Sequence, residues 1–284
     1  VLNVKMAILF VALITTGLLC QAEPVRYPAV ANQQAPRSVY PLALLEQALA
    51  YSGKGYQLQS SAEPMSKSRA MVFLRERQEI DVLWTMTSVE RELELLPIRI
   101  PIFKGLSGYR VSLIHQENRD AFAARHAPVT IRRLLYAQGH DWVDTKILRL
   151  NGLNVIEAAR YDNIFSMLQR RRVDAVPRNV LEITDEASLL TAQQLVIEQN
   201  WLIYYPSASY FFVNSDNQQL AIDIEQGLQK MLADGSFEQL FQQFFSRQLA
   251  ELKLEQRQII KLDNPLLPAQ TPLQDPRLWY YPAK

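Results

Sequence analysis

Apolar and polar positions along this chain fall into two alternating periods. Val25 to Val30 and Tyr56 to Gln59 read as strands, whereas Leu42, Leu45, Ala48 and Leu49 recur at helical spacing after Tyr40-Pro41. Gly53 and Gly55 end that helix. Ser66 opens a second helix with Ala70, Met71, Phe73 and Leu74 inward, and Asp81 to Met86 is the next strand. Strand, helix, strand, helix, strand predicts a βαβαβ opening and a parallel sheet.

A second α/β unit follows. Tyr109 to Ile114 is a strand, Thr130 to Leu135 a short helix or strand, and Gln138 to Trp142 a loop before a helix from about Asp144 to Leu150. Leu153 to Ala158 and Asp174 to Pro177 read as strands, each followed by a helix, Asp162 to Arg172 and Val180 to Leu190. Two further strands, Trp201 to Tyr205 and Tyr210 to Val213, flank Pro206-Ser207-Ala208-Ser209. Leu220, Ile224, Leu228, Met231 and Leu232 then line a long helix. Gly235 closes it and Ser236 is expected to cap the next, whose Phe237, Leu240, Phe241, Phe244 and Phe245 form a core-packing stripe. Prolines at 265, 268, 272, 276 and 282 forbid a helix in the last segment, while Leu266, Leu267, Leu278, Trp279 and Tyr280 require it to lie against the body.

The first twenty-two residues have the pattern of a secretory leader: Lys5, an apolar stretch from Met6 to Leu19, and small residues before an expected cut after Ala22. Cys20 is the only cysteine, so the exported chain would hold no disulfide and no thiolate. The 30 basic and 29 acidic residues nearly cancel, and no long basic run remains, which argues against nucleic acid or an anionic membrane as partner. His115, His126 and His140 lack ligand spacing, so neither a metal nor a cofactor is expected.

The chemically suggestive stretch lies between Thr85 and Arg91. Hydroxyls of Thr85, Thr87 and Ser88, amides at a helix start and the Arg91 guanidinium together make a seat for a carboxylate. The competing reading is an N-cap followed by a surface arginine paired with Glu90 or Glu94.

These elements, in this order, resemble the family 3 periplasmic solute-binding proteins. The resemblance rests on the leader, on Thr85-Met86-Thr87-Ser88-Val89-Glu90-Arg91, on the helix-strand-helix from Asp162 to Asn179, and on the closing pair Leu228 to Phe245 around Ala233-Asp234-Gly235-Ser236-Phe237. Leu96-Pro97-Ile98-Arg99-Ile100-Pro101 and Asp263-Asn264-Pro265-Leu266-Leu267-Pro268 look like a divergent proteobacterial branch.

The resemblance implies an α/β, two-lobed type II periplasmic-binding-protein architecture, with mixed sheets flanked by helices and two crossover strands. Lobe 1 would comprise residues 23–105 and a return over 207–262; lobe 2 would be 106–206, and a Pro-rich segment, 263–284, would pack on lobe 1. It implies a monomer that closes on a small solute in the periplasm and passes it to a membrane permease or sensor. Arg91 matches the family's carboxylate-binding arginine, with Thr85, Thr87 and Ser88 beside it. The family's second-lobe anion loop corresponds to Gln138–Trp142, where Asp141 and Trp142 replace small residues. Asn179 stands where amino-acid binders place an ammonium-binding aspartate, with Arg178 beside it; Asp141 or Glu182 would have to replace that carboxylate. The solute is therefore expected to be polar or anionic rather than an ordinary α-amino acid. Trp84, Trp142 and Tyr27 are candidate apolar walls. Two other readings remain open, an interaction or regulatory protein with a degenerate cleft and a periplasmic dehydratase of the cyclohexadienyl type, which would need an acid such as His140, Asp141 or Glu182.

Overall fold

The computed structural model describes residues 23–29 and 35–282, so the expected leader lies outside the described residues. The chain begins with β1 (Pro24–Ala29), α1 (Pro36–Ala50), β2 (Gln57–Pro64), α2 (Lys67–Arg75), β3 (Val82–Met86), α3 (Val89–Glu94) and β4 (Leu96–Ile98). It continues through β5 (Tyr109–His115), α4 (Pro128–Arg132), β6 (Leu135–Gly139), α5 (Val143–Leu150), β7 (Asn154–Ala158) and α6 (Tyr161–Gln169). Next come β8 (Ala175–Asn179), α7 (Ile183–Leu190), β9 (Leu195–Ile197) and β10 (Trp201–Tyr204). It ends with β11 (Ser209–Val213), α8 (Gln218–Asp234), α9 (Ser236–Leu252) and β12 (Gln258–Lys261).

The first lobe is built on two small sheets, β1-β2 and β3-β11-β4, and the second on a mixed sheet ordered β12-β10-β5-β8-β6-β7, with β9 also on β5. β1 and β2 pair in parallel as the opening pattern predicts, but β3 takes an antiparallel ladder with β11. At the start of β3, Asp81 replaces part of the ladder to β1. Its carboxylate accepts from the Arg26 amide at 2.9 Å and from both ends of that guanidinium, while its own amide donates to Arg26 O. α1 begins earlier than its apolar spacing suggests, because Pro36 is suited to a first helical position, and Pro41 lies inside the helix. Tyr40, Leu44, Leu45, Ala48 and Leu49 form its buried face, with Phe241, Phe244 and Phe245 of α9 ringing Tyr40. At the α8–α9 turn, Gly235 adopts φ 83°, and the Asp234 carboxylate rather than Ser236 caps the new helix by accepting from the Ser236 amide.

The end of the chain departs from the expected division. Gln258–Lys261 does not stay with the first lobe; it adds a parallel edge strand to β10 in the larger sheet. Buried Arg257 anchors that return, donating to Leu252 O and Glu198 O at 2.9 and 2.6 Å. The proline-rich segment then touches both lobes. Asn151, just past α5, exchanges two hydrogen bonds with the backbone of Asp263, at 2.7 and 2.9 Å. Leu266 O accepts from the amide of Val89 at the head of α3. Trp279 lies on Gly105, where φ is +75° and a Cβ would come within 2.3 Å of the ring; the next amide, of Tyr280, donates to Lys104 O. Among the described residues no helix is long and apolar enough to cross a membrane.

Candidate functional site

The first two passages of the chain between the lobes, after β4 and after β10, are bonded side by side; it crosses again between α9 and β12. Ser107 Oγ and Ser209 Oγ are 2.8 Å apart, and the Tyr205 amide donates to Gly108 O. A Cβ on Gly108 would sit 1.9 Å from Tyr205 O, so only glycine permits this approach.

Above these passages a cavity of about 470 Å³ opens between the lobes. The first lobe lines it with Ser66 and Lys67 at the head of α2, Trp84 to Met86 at the end of β3, and Arg91 of α3. The second lobe contributes Arg110 of β5, Asp141 to Asp144 around the start of α5, Tyr161, Arg178 and Asn179 at the end of β8, and Glu182. Arg37 of α1 reaches across and pairs with Glu182.

Of the residues picked out by the sequence, Arg91, Thr85, Trp84, Asp141, Trp142, Arg178 and Asn179 border this cavity. Arg91 Nη1 donates to Thr85 Oγ1 at 3.0 Å and to Met86 O at 2.5 Å. It has neither of the expected ion pairs with Glu90 or Glu94, and burial pushes its pKa down. Thr87 does not face the cavity: it is buried and its hydroxyl donates to Glu92, itself held by Arg99. Ser88 caps α3 by accepting from the Arg91 amide at 3.3 Å. Two of the helix-start amides are thus spent, Val89 on Leu266 and Arg91 on Ser88, which leaves most of the seat to side chains. Tyr27 is not among the lining residues; its ring centroid lies 6.4 Å from that of Trp84, which it backs.

On the second lobe, Arg178 is 4% exposed, lies 4.6 Å over Trp142, and is bonded to Glu182 and Glu186. It is a wall of the cleft rather than a surface ion pair. Burial alone would raise the Glu182 carboxyl, but the Arg178 and Arg37 guanidinium groups hold it below the usual range. Glu182 is therefore committed and charged. Asn179 Oδ1 accepts from the Leu181 amide at 2.8 Å, turning the chain after β8. Asp141 and His140 are exposed on the rim.

Three groups escaped the sequence reading. Arg110, the one charge in an apolar strand, is buried and bonds Asp144 at 2.5 Å, Tyr205 Oη at 3.0 Å and Ser107 O at 3.0 Å. A lone arginine in such a strand was the available signal. Asp144 looked like an ordinary first-turn acid. Lys67 had no signal beyond following the cap Ser66. Lys67 as a residue is exposed along the cleft, but its ammonium is turned inward: Nζ donates to Trp84 O at 2.9 Å and lies 5.3 Å from the Trp84 ring centroid. Enclosure of the ammonium, with Arg37 and Arg91 nearby, pushes its pKa down to about 8. No group of His, Cys, Asp or Glu placed to hold a metal occurs among the described residues.

No protein-family model matches the chain, and no curated protein matches it by sequence. Solved structures do match in shape. A periplasmic binding protein of Salmonella typhimurium described as highly specific for arginine superposes with a TM-score of 0.57 at 15% identity, over 79% of this chain and 100% of that one. A probable extracellular-binding protein of an amino-acid ABC transporter from Bacillus subtilis gives 0.57 at 16% identity, over 79% and 97%. An ancestral amino-acid-binding protein, a precursor of cyclohexadienyl dehydratase, gives 0.55 at 13% identity, over 78% and 95%. With mixed sheets in two lobes and a cleft between them, this chain has the type II fold of the periplasmic amino-acid-binding proteins.

Proposed function

We propose that the protein is a periplasmic solute-binding protein that captures a small polar or anionic solute between its lobes and presents it to a membrane transporter or sensor. The observation that carries this reading is the charge of the cavity wall: five cationic side chains against three carboxylates. Neither Lys67 nor Arg91 has a carboxylate within ion-pair distance among the described residues, and the undescribed stretches contain no Asp or Glu side chain. An unmatched cation in a partly desolvated cleft attracts an anion far more strongly than one in bulk water. The solved relatives in shape, binders of amino acids by their descriptions, support a small solute with an acid group. Binding rather than catalysis is supported by the state of the carboxylates, since Glu182 and Asp144 are each tied to an arginine and offer no proton to a leaving group.

The test is a thermal-denaturation panel of amino acids, monocarboxylates and dicarboxylates on the purified exported chain. A solute at a hundredfold excess over its Kd stabilises by about 2.7 kcal/mol, which raises Tm by roughly 5–10 °C at this chain length. A flat Tm across all acidic solutes would remove the reading.

A further inference from the structure

Which acid the cleft takes is a finer question, and any answer rests on the solute-binding reading. The charges around the cavity sort into two sets. Arg110 is matched by Asp144, and Arg178 and Arg37 by Glu182 and Glu186. That set is balanced and needs no guest. Left over are Lys67 and Arg91, with Asp141 exposed at the rim.

The two spare cations are spaced by the strand they lean on. Lys67 Nζ is bonded to Trp84 O and Arg91 Nη1 to Met86 O. Carbonyls two residues apart in a strand point to the same side and lie about 7 Å apart, at the usual rise per residue. That is wider than one carboxylate can span and suits the two ends of a short dicarboxylic acid. We propose that Lys67 and Arg91 each hold one acidic group of the same solute, so that the cleft takes a small dicarboxylate. Thr85, bonded to Arg91 at 3.0 Å, and Ser66, beside Lys67 in the lining, add a hydroxyl at each end.

This arrangement couples binding to a proton. The Lys67 amine faces Arg37 from α1 and Arg91 from α3, with Tyr161, Glu182, Asp185 and Glu186 of the second lobe around the adjoining recess. With its pKa near 8, the free amine is part neutral in mildly alkaline solution. A bound carboxylate favours the charged form, so binding in mildly alkaline solution is accompanied by proton uptake.

Calorimetric titration of the exported chain with glutarate, butyrate and glutamate, in two buffers of different ionisation enthalpy, tests the assignment. Glutarate is expected to bind at least about tenfold more tightly than butyrate, the contribution of one further charge-assisted contact. Lys67→Met should weaken glutarate far more than butyrate and bring the two to a similar affinity. Lys67→Arg should keep the preference and abolish the proton uptake. Glutamate binding as well as glutarate supports the same two-acid site, with Asp141 receiving the amine. Equal affinity of the wild type for butyrate and glutarate, or an equal loss of both in Lys67→Met, would overturn the dicarboxylate assignment while the solute-binding reading stood. Binding of no acid at all would overturn both.

Discussion

On the second-lobe wall of the cleft, Arg178 is enclosed by Trp142, Tyr161 and two glutamates; on the first-lobe wall, Arg91 is half-buried and bonded only to a threonine hydroxyl and a carbonyl. The same functional group is used in two ways. Where a guanidinium is sealed from water, its desolvation must be offset within the protein, and once offset it contributes shape rather than affinity. Where it keeps partial access to water and lacks a counter-charge, the offset is left for a guest. Charged residues lining a cleft are therefore not equivalent evidence of a ligand; their existing partners have to be subtracted first.

The largest effect should come from the sealed side. Arg178→Met leaves Glu182 and Glu186 without their shared partner and should destabilise the fold by about 3–5 kcal/mol, read by chemical denaturation. The pH profile sharpens the test. In the wild type, Glu182 has a folded pKa below its unfolded one, so it contributes stability above the unfolded value that is lost as pH falls through the folded value. That acid sensitivity should weaken in the variant, because its strongest counter-charge is gone and only Arg37 and Arg110 remain to hold the charge. An unchanged midpoint and profile would show that the sealed set is not structural.

Arg91→Met reverses the balance. Acid-solute affinity should fall by roughly 30- to 150-fold, as expected when a charge-assisted contact worth about 2–3 kcal/mol is lost. Stability without solute should stay within about 1 kcal/mol, because no carboxylate is orphaned. A large loss of stability without loss of affinity would place Arg91 with Arg178. The smallest effect belongs to Thr87→Val, which removes a buried hydroxyl that faces Glu92 rather than the cavity. It should cost about 1 kcal/mol of stability and leave affinity within roughly twofold; a tenfold weaker titration would mean that Thr87 turns toward the solute.

Much of the architecture was legible because it follows from local pattern. Apolar spacing located α1, α2, α6, α8 and α9 to within a few residues at most ends, and alternation located most strands. β4, β9 and β12 were not legible, since each is too short to show a period and is set by the neighbour it pairs with. β6 was missed too, because Leu135–Gly139 is a strand that takes in Gln138, which reads as loop in the sequence. Within the site, Arg91 and Thr85 could be paired from sequence because a six-residue separation across a strand end and one helical turn brings them together. The other side of the cleft resisted for a physical reason. Arg110 and Asp144 are 34 residues apart and Arg178 acquires its meaning from Glu186 and Trp142, so their roles depend on which partners the fold delivers. Thr87 erred in the opposite direction. A hydroxyl two residues along a strand should share the face of Thr85, but β3 ends at Met86 and the chain turns there.

The proline-rich end of the chain sets a bound on how the mouth can widen. Asp263 is clasped by Asn151 of the second lobe and Leu266 by Val89 of the first, with three residue steps between them. An extended chain covers at most about 3.6 Å per residue, so on this flank the lobes can separate only by roughly the length of that short leash before one clasp lets go. A wider gape on this flank would first have to break the Asn151 or the Val89 clasp, so the end of the chain works like a short strap stitched across the joint.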